Sequence, residues 1–96
     1  MPTGSAVITA EKDVVSCELG DGSALLDMRS GTYFSVNAVG AYVWELLDSP
    51  RTFSDLRDAI VERYDVAPDR CEQDLAVLCD QLAEAELVQV SDGSGD

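Results

Sequence analysis

The sequence predicts a small α+β domain in which a three-stranded antiparallel sheet is followed by three helices. Two observations predict it. Residues 13–36 alternate short β-branched or aromatic runs with glycine-containing turns. Residues 38–87 carry apolar stripes of helical period, interrupted at Pro50 and Pro68. Strands grouped before helices are typical of this class, and 96 residues suffice for one domain.

The strand region is predicted to form a meander. Residues 14–19, 23–28 and 32–36 are the predicted strands, since they are rich in Val, Leu, Tyr and Phe. Residues 20–22 and 29–31 are the predicted turns, where glycine can take a positive φ. A sheet of this size must bury one face against helices to be stable.

Each predicted helix begins with a recognisable signal. Asn37 stands where a side-chain oxygen can accept an unpaired N–H of a helix over about residues 38–47. Thr52 and Asp55 have the spacing of a capping pair for the second helix. Pro68 suits the first turn of the third helix, where its missing N–H does no harm.

The apolar positions of these helices predict the core. Glycine is unfavourable inside a helix, so Gly40, one turn before Trp44, predicts close packing, and both residues are assigned to the core. Residues 87–90 are expected to add a short strand or to pack as a tail. The predicted core stripes are Val39, Val43, Leu46 and Leu47, then Phe53, Leu56, Ile60 and Tyr64, then Cys71, Leu75, Leu78 and Leu82.

The composition excludes several classes of function. Six basic and nineteen acidic residues give a net charge of −13, which disfavours binding to nucleic acid and would attract a basic partner. The third helix offers Arg70 as its only basic residue, so a DNA-recognition helix is not expected. An acidic surface that only prevents self-association remains an alternative explanation of the charge.

The residue types needed for catalysis are largely missing. The chain has no histidine, so no histidine-dependent triad or metal site can form. Three cysteines without CxxC spacing argue against both a disulfide framework and a zinc site. We therefore expect no enzyme activity, no catalytic residue, no cofactor and no metal. Without a secretion signal or an apolar span, the protein is expected to be cytoplasmic and not bound to a membrane.

The order of these signals over roughly residues 13–90 resembles the PqqD-like family, small peptide-binding domains of ribosomal natural-product pathways. The spelling from Leu25 to Gly40 is most similar to the stand-alone leader-binding proteins of lasso-peptide clusters. Residues 1–12 would then be a flexible arm and residues 91–96 a disordered acidic tail. The resemblance is carried by Leu26, Asp27, Gly31, Tyr33, Phe34, Asn37, Gly40, Trp44, Thr52, Leu56, Ile60, Tyr64, Asp74, Leu75, Leu78, Leu82 and Leu87.

The resemblance implies a winged helix-turn-helix-like arrangement and a peptide site. In such domains a precursor's leader peptide adds a strand to the free edge of the third strand and lies in a groove beside the third helix. Related domains usually carry glycine near position 86, where this chain has Glu86, which leaves the end of the third helix uncertain. The implied leader-binding residues are Thr32, Tyr33, Phe34, Ser35, Val36, Arg70, Asp74, Val77 and Leu78.

The resemblance also implies partners. A lasso-type protein presents the leader to a separate cysteine protease, the leader peptidase, and a macrolactam cyclase then closes the ring; we expect a monomer. Two alternatives stay open, a pyrroloquinoline-quinone-type peptide chaperone and an acidic protein–protein adaptor.

Several of these residues also have a structural interpretation. Phe34 and Val36 fit the core better than a ligand contact. Arg70 and Asp74 could pair with each other, four residues apart on one helix. Val77 is the stronger indication of a site, since it lies off the main apolar stripe.

Overall fold

The computed structural model describes residues 5–18, 20 and 22–91. Two small sheets and three helices make up this part of the chain. The elements in order are β1 (Val7–Ala10), β2 (Val14–Glu18), β3 (Gly22–Asp27), β4 (Thr32–Asn37), α1 (Ala38–Leu46), β5 (Arg51–Thr52), α2 (Phe53–Tyr64), α3 (Pro68–Glu84) and β6 (Val88–Ser91).

The predicted meander is confirmed as an antiparallel sheet in the order β2-β3-β4. Leu25 lies opposite Ser16 on one side and Phe34 on the other, which fixes the register of all three strands. Gly31 takes a φ of 73° in the β3–β4 turn, as a tight turn requires. Leu25 is fully buried, so the face that carries it is the one packed against the helices.

A second sheet, in the order β5-β1-β6, was not predicted. The flexible arm expected over residues 1–12 is wrong for β1, because Val7–Ala10 pairs along its length with β6 and at its start with β5. Ile8 is fully buried, and its burial helps hold this segment in place. Of the two alternatives for residues 87–90, a short strand or a packed tail, the structure shows a strand, β6, over Val88–Ser91. Residues 1–4, 19, 21 and 92–96, which include parts of the predicted arm, first turn and acidic tail, lie outside the described residues.

The helix starts are those that the sequence predicts. The Asn37 side chain accepts the Gly40 N–H at 2.9 Å. Thr52 and Asp55 form a complete capping box, with side chain and backbone bonded in both directions. Pro68 opens α3. These caps fix where each helix begins, and thus how β4 passes directly into α1.

The end of α3 is well defined although no glycine is present. Glu86 takes a φ of 62°, the left-handed region. Its N–H donates to the carbonyl of Ala83 at 3.0 Å, and the N–H of Leu87 donates to the carbonyl of Leu82 at 2.9 Å. This pair of bonds is the Schellman arrangement that usually carries glycine.

The predicted core stripes largely meet in one cluster between the sheets and the helices. Val43, Leu47, Phe53, Leu56, Ile60, Cys71, Leu75 and Leu82 are buried in it, with Ile8, Leu25 and Leu87 from other segments. Trp44, Leu46 and Leu78 are partly buried against this cluster. The predicted close packing at Gly40 is against Val36, since a Cβ added to Gly40 would lie 2.8 Å from the Val36 Cβ.

The α+β class and the order of strands and helices are thus as predicted. Winged helix is a loose description, because the β5-β1-β6 sheet is an additional layer. Among the described residues, none of the helices is both long and apolar enough to cross a membrane.

Candidate binding groove

The outer edge of β4 is open. Within the described residues, β4 pairs with β3 on one side and with no strand on the other. Such an edge presents backbone N–H and C=O groups without partners, which an extended peptide can satisfy almost regardless of its sequence. The edge of β2 is open in the same sense, so the surroundings decide which edge is the better site.

Side chains of β4 alternate between the two faces of the sheet. Tyr33 is 67% exposed, and Thr32 and Ser35 are exposed as well. Phe34 is half-buried and packs against the core, while Val36 is a member of the core cluster. Val36 is therefore a core residue, as its structural interpretation holds. Its side chain packs on the inner face of the sheet, and its backbone lies at the open edge.

Helix α3 comes near both ends of β4, and the order of these two approaches makes the elements antiparallel. At one end, Arg29 in the β3–β4 turn donates a hydrogen bond of 2.7 Å to the carbonyl of Glu86, beyond the end of α3. At the other end, Asn37 lines the same cleft as Arg70 and Asp74 in the first half of α3. Six residues of strand extend about 20 Å, and residues 70–84 of α3 extend about 22 Å. We call the β4 edge and α3 the two walls of a groove, and their lengths are similar.

Near the Asn37 end of β4, a cleft of about 320 Å³ lies among the three helices. Its walls are mostly apolar and come from α1, α2, α3 and the α2–α3 loop, with polar groups at the rim. An apolar cleft with a few polar groups is the usual form of a ligand subsite. The lining residues are Asn37, Val39, Gly40, Ile60, Tyr64, Val66, Arg70, Cys71, Asp74, Leu75, Leu78 and Gln81.

The structure brings together part of the predicted site. Arg70, Asp74 and Leu78 line the cleft, whereas Val77 lies on the adjoining flank of α3, where it is 56% exposed. Thr32 to Val36 form the open edge and are not lining residues of the cleft. The sequence analysis missed the other nine lining residues, which are Asn37, Val39, Gly40, Ile60, Tyr64, Val66, Cys71, Leu75 and Gln81. Of these, Gln81 could have been found, because it shares the Arg70–Asp74 flank of the helix.

Arg70 and Asp74 form an ion pair at the rim of the cleft. The Arg70 Nε lies 3.4 Å from the Asp74 Oδ2, and both side chains are more than 70% exposed. A pair this exposed contributes little to stability. Each side chain is therefore free to exchange its partner for a charged group of a bound peptide.

The outer face of the β2-β3-β4 sheet carries no charge. Register places Val15, Leu26 and Tyr33 in one row across the three strands and Cys17, Ala24 and Ser35 in the next. Val15 is 43% exposed, and the neighbouring turn exposes Met28. Tyr33 is exposed as well, whereas Ala24 is buried and Leu26 is half-buried. In a chain of net charge −13, this face therefore presents apolar and neutral polar side chains only.

The titratable groups of the structure do not form a reactive centre in the described residues. Burial raises the pKa of the Cys79 thiol to about 11 and also raises that of Cys71, so both thiols stay protonated at neutral pH. The described residues contain no cluster of acidic or cysteine side chains suited to a metal ion. What the groove offers is hydrogen bonding, apolar contact and charge at one rim.

Comparison with known proteins gives a consistent result. TbiB1 in complex with the TbiA(beta) leader peptide is 34% identical, with a TM-score of 0.75, and the match covers 84% of this chain and 94% of that chain. Lasso peptide synthetase B1 complexed with the leader peptide is 26% identical, with a TM-score of 0.70, covering 85% and 96%. No curated protein sequence matches this chain.

The fold extends to a more distant relative. The PqqD truncation of Methylobacterium extorquens PqqCD, described as a stand-alone RiPP recognition element, is 22% identical with a TM-score of 0.73, and the match covers 93% of this chain and 95% of that chain. The family model of coenzyme PQQ synthesis protein D matches residues 22–88, well over half of the sequence. These residues include β4, the groove and all three helices. The chain therefore belongs to the PqqD family.

Proposed function

We propose that this protein is a non-catalytic leader-peptide-binding protein, which captures a ribosomally made precursor by adding the leader as a strand to the open edge of β4. One observation carries the proposal: the open edge of β4 ends beside an apolar cleft that α3 lines, in a chain that is 34% identical to a relative solved with a leader peptide. A second cleft of about 330 Å³ lies between β2 and α1, where Ser16, Glu18 and Tyr42 are among its lining residues. Its walls are mostly polar, whereas the cleft near β4 is mostly apolar, and this difference favours β4.

In the proposed binding mode, the leader backbone provides affinity and the leader side chains provide specificity. Backbone hydrogen bonds along β4 hold any extended segment, with a net contribution of about 1 kcal/mol each. Alternate side chains of the peptide then point toward α3 or toward the outer face. Those on the α3 side meet Leu78, Val77 and the cleft, and an apolar leader residue fits there. Those on the other side lie next to Tyr33 and Ser35.

The charges at the rim add a preference. Helix α3 carries five carboxylates against the single guanidinium of Arg70. A basic leader residue could pair with Asp74 in place of Arg70, whereas an acidic leader residue could pair with Arg70 in place of Asp74. Because the surrounding field is acidic, we expect basic residues to be favoured at this point of the leader.

A lasso-peptide precursor is the proposed class of ligand. Two lasso-type B1 proteins or complexes are 34% and 26% identical to this chain, whereas the PqqD truncation is 22% identical. This difference favours the lasso class over a pyrroloquinoline-quinone-type chaperone.

We further propose that the bound leader is presented to a separate cysteine protease and that a macrolactam cyclase acts afterwards. Strand addition at β4 leaves the uncharged outer face of the sheet exposed, so that a processing enzyme could contact this face and the leader together. In this account the protein acts as a soluble monomer in the cytoplasm.

A titration tests leader binding. The labelled leader peptide of the precursor encoded beside this gene is titrated with the protein and followed by fluorescence polarisation, with a scrambled peptide as control. A Kd at or below roughly 1 µM, about −8.2 kcal/mol, supports the proposal. Equal binding of the scrambled peptide, or none at high micromolar protein, would favour an acidic adaptor instead.

Presentation requires its own test. Val15→Glu places a charge on the outer face, away from the β4 edge and the cleft. We expect this variant to bind the leader as the wild type does and to slow leader removal by the protease. Unchanged leader removal would argue against docking of the protease on this face.

A further inference from the structure

We infer that Asp27 and Arg29 are positioning residues that set the distance between the two walls of the groove at its turn end. The inference rests on the proposed function, because it concerns how tightly the groove holds a leader. Neither side chain lines the cleft at the opposite end. Their effect on a peptide would therefore be exerted through β4 and α3.

Asp27 fixes the Arg29 guanidinium in one orientation. Asp27 is buried at the end of β3, directly opposite Thr32, the first residue of β4. Its Oδ1 accepts the Arg29 backbone N–H at 2.9 Å and Nε at 3.0 Å, and its Oδ2 accepts Nη2 at 3.1 Å. A carboxylate and a guanidinium joined in this bidentate way leave little freedom to either group.

The same guanidinium reaches across to α3. Arg29 Nη2 donates to the Glu86 carbonyl at 2.7 Å, between residues 57 apart in sequence. That carbonyl belongs to the left-handed residue that closes the Schellman end of α3, where a cation is favourable for the helix dipole. The β3–β4 turn and the end of α3 are thus joined by one side chain.

This bond matters because it joins the two walls outside the core. Among the described elements, α3 packs chiefly on α2 and β6, and β4 packs on β3 and α1. Val36 of β4 shares the core cluster with Leu75 and Leu82 of α3, which holds the walls together on the inner side. The bond from Arg29 to Glu86 adds a contact at the turn end, where it fixes the spacing between the β3–β4 turn and the end of α3.

Arginine is required for this arrangement. A lysine at position 29 could bond either the carboxylate or the carbonyl, but its point charge cannot reproduce the three side-chain bonds of the planar fork. Arg29→Lys keeps the net charge and the length of the side chain, so it removes the geometry alone.

The test compares Arg29→Lys with Arg57→Lys. Arg57 provides the matched control, since it also bonds a carboxylate on its own segment, Asp58, and one on α3, Glu72, yet it is not a lining residue of the cleft. Leader affinity, urea unfolding and amide hydrogen exchange without peptide are measured for both variants.

We expect Arg29→Lys to weaken leader binding about threefold to tenfold, the range of couplings transmitted between residues. Exchange should become faster at Thr32 and in the last turn of α3. Arg57→Lys should leave the leader affinity unchanged, although it should lose a similar amount of folding stability to Arg29→Lys. Of two leaders shortened from opposite ends, the one that no longer reaches the turn should lose its sensitivity to Arg29→Lys.

Three results would count against the inference. Wild-type affinity and exchange in Arg29→Lys would overturn it while leaving the proposed function intact. An equal loss of affinity in Arg57→Lys would show a general effect of stability and would also overturn it. A wild-type protein that does not bind the leader would overturn the proposed function itself, and the exchange data would still report whether Arg29 joins the two walls.

Discussion

Val77→Ala is the substitution that we expect to weaken leader binding without lowering the stability of the fold. Val77 is 56% exposed on α3 beside the cleft, so a bound leader can cover the exposed part of its side chain. The change deletes two methyl groups, and burying each hydrocarbon group is worth about 0.8 kcal/mol. Scaling about 1.6 kcal/mol by the exposed fraction of 56% gives about 0.9 kcal/mol for the leader complex. The Kd should therefore rise about fourfold to fivefold.

The folded state should not suffer from this change. Alanine is a better helix former than valine by about 0.5 kcal/mol, which offsets the few contacts that Val77 makes in the free protein. Fluorescence polarisation with the labelled leader gives the Kd, and urea unfolding gives the free energy of unfolding. The matched control is Val15→Ala, since Val15 is 43% exposed on the outer face of β2.

The reasoning would be refuted by either of two results. An unchanged Kd in Val77→Ala would mean that the leader does not cover this flank of α3. An equal loss in Val15→Ala would mean that the leader lies on the outer face or that exposed valines matter for another reason.

Three further predictions concern stability. Glu86→Gly relieves a left-handed conformation that costs a non-glycine residue about 1–2 kcal/mol, partly offset by the entropy of glycine. We expect a gain of about 0.5–1 kcal/mol, a rise in Tm of roughly 4 °C. Gly40→Ala forces a Cβ to within 2.8 Å of the Val36 side chain and should destabilise by about 1–3 kcal/mol. Hydrogen bonds from Arg29 hold the pKa of Asp27 below its ordinary value of 3.8, so the stability they provide is present above pH 3.8 and is lost as the pH falls through the lowered pKa. Asp27→Asn should remove this part of the acid dependence.

Each of these three has a clear contrary result. Thermal and urea unfolding would contradict the first two predictions if Glu86→Gly lowered the Tm or Gly40→Ala raised it. For the third, stability is followed from pH 5 to pH 2. A wild type and an Asp27→Asn variant with the same slope below pH 4 would mean that the Asp27 pKa is not lowered on folding.

Local signals explain how much of the fold could be predicted. The caps at Asn37 and Thr52, the turn at Gly31 and the proline at the start of α3 act within a few residues, so sequence alone indicates them. The sheet of β1, β5 and β6 could not be predicted in this way. Its partners lie more than 40 residues apart, and each strand has only two to four residues. The β-branched run of Val7, Ile8 and Thr9 was the one available indication.

The candidate site shows the same limit. Periodicity grouped Arg70, Asp74, Val77 and Gln81 on one flank of α3, and the structure brings all of these except Val77 to the cleft. Periodicity could not show that Val39 and Tyr64 face them from two other helices. The end of α3 was uncertain because Glu86 stands where glycine is usual. The structure resolves this, since the bond from Arg29 and the Schellman pair hold Glu86 in the left-handed region. Such contacts join segments that are distant in sequence, so they can be identified only once the chain is folded.

Amide hydrogen exchange along β4, with and without the leader, tests the central claim most directly. Strand addition pairs every second N–H of an edge strand with the added peptide, since successive residues direct their N–H groups to opposite sides. The account predicts that alternate amides of Thr32–Asn37 become protected on binding, while the amides of β2 do not change. Protection along β2, or a leader that binds without altering exchange in β4, would contradict it.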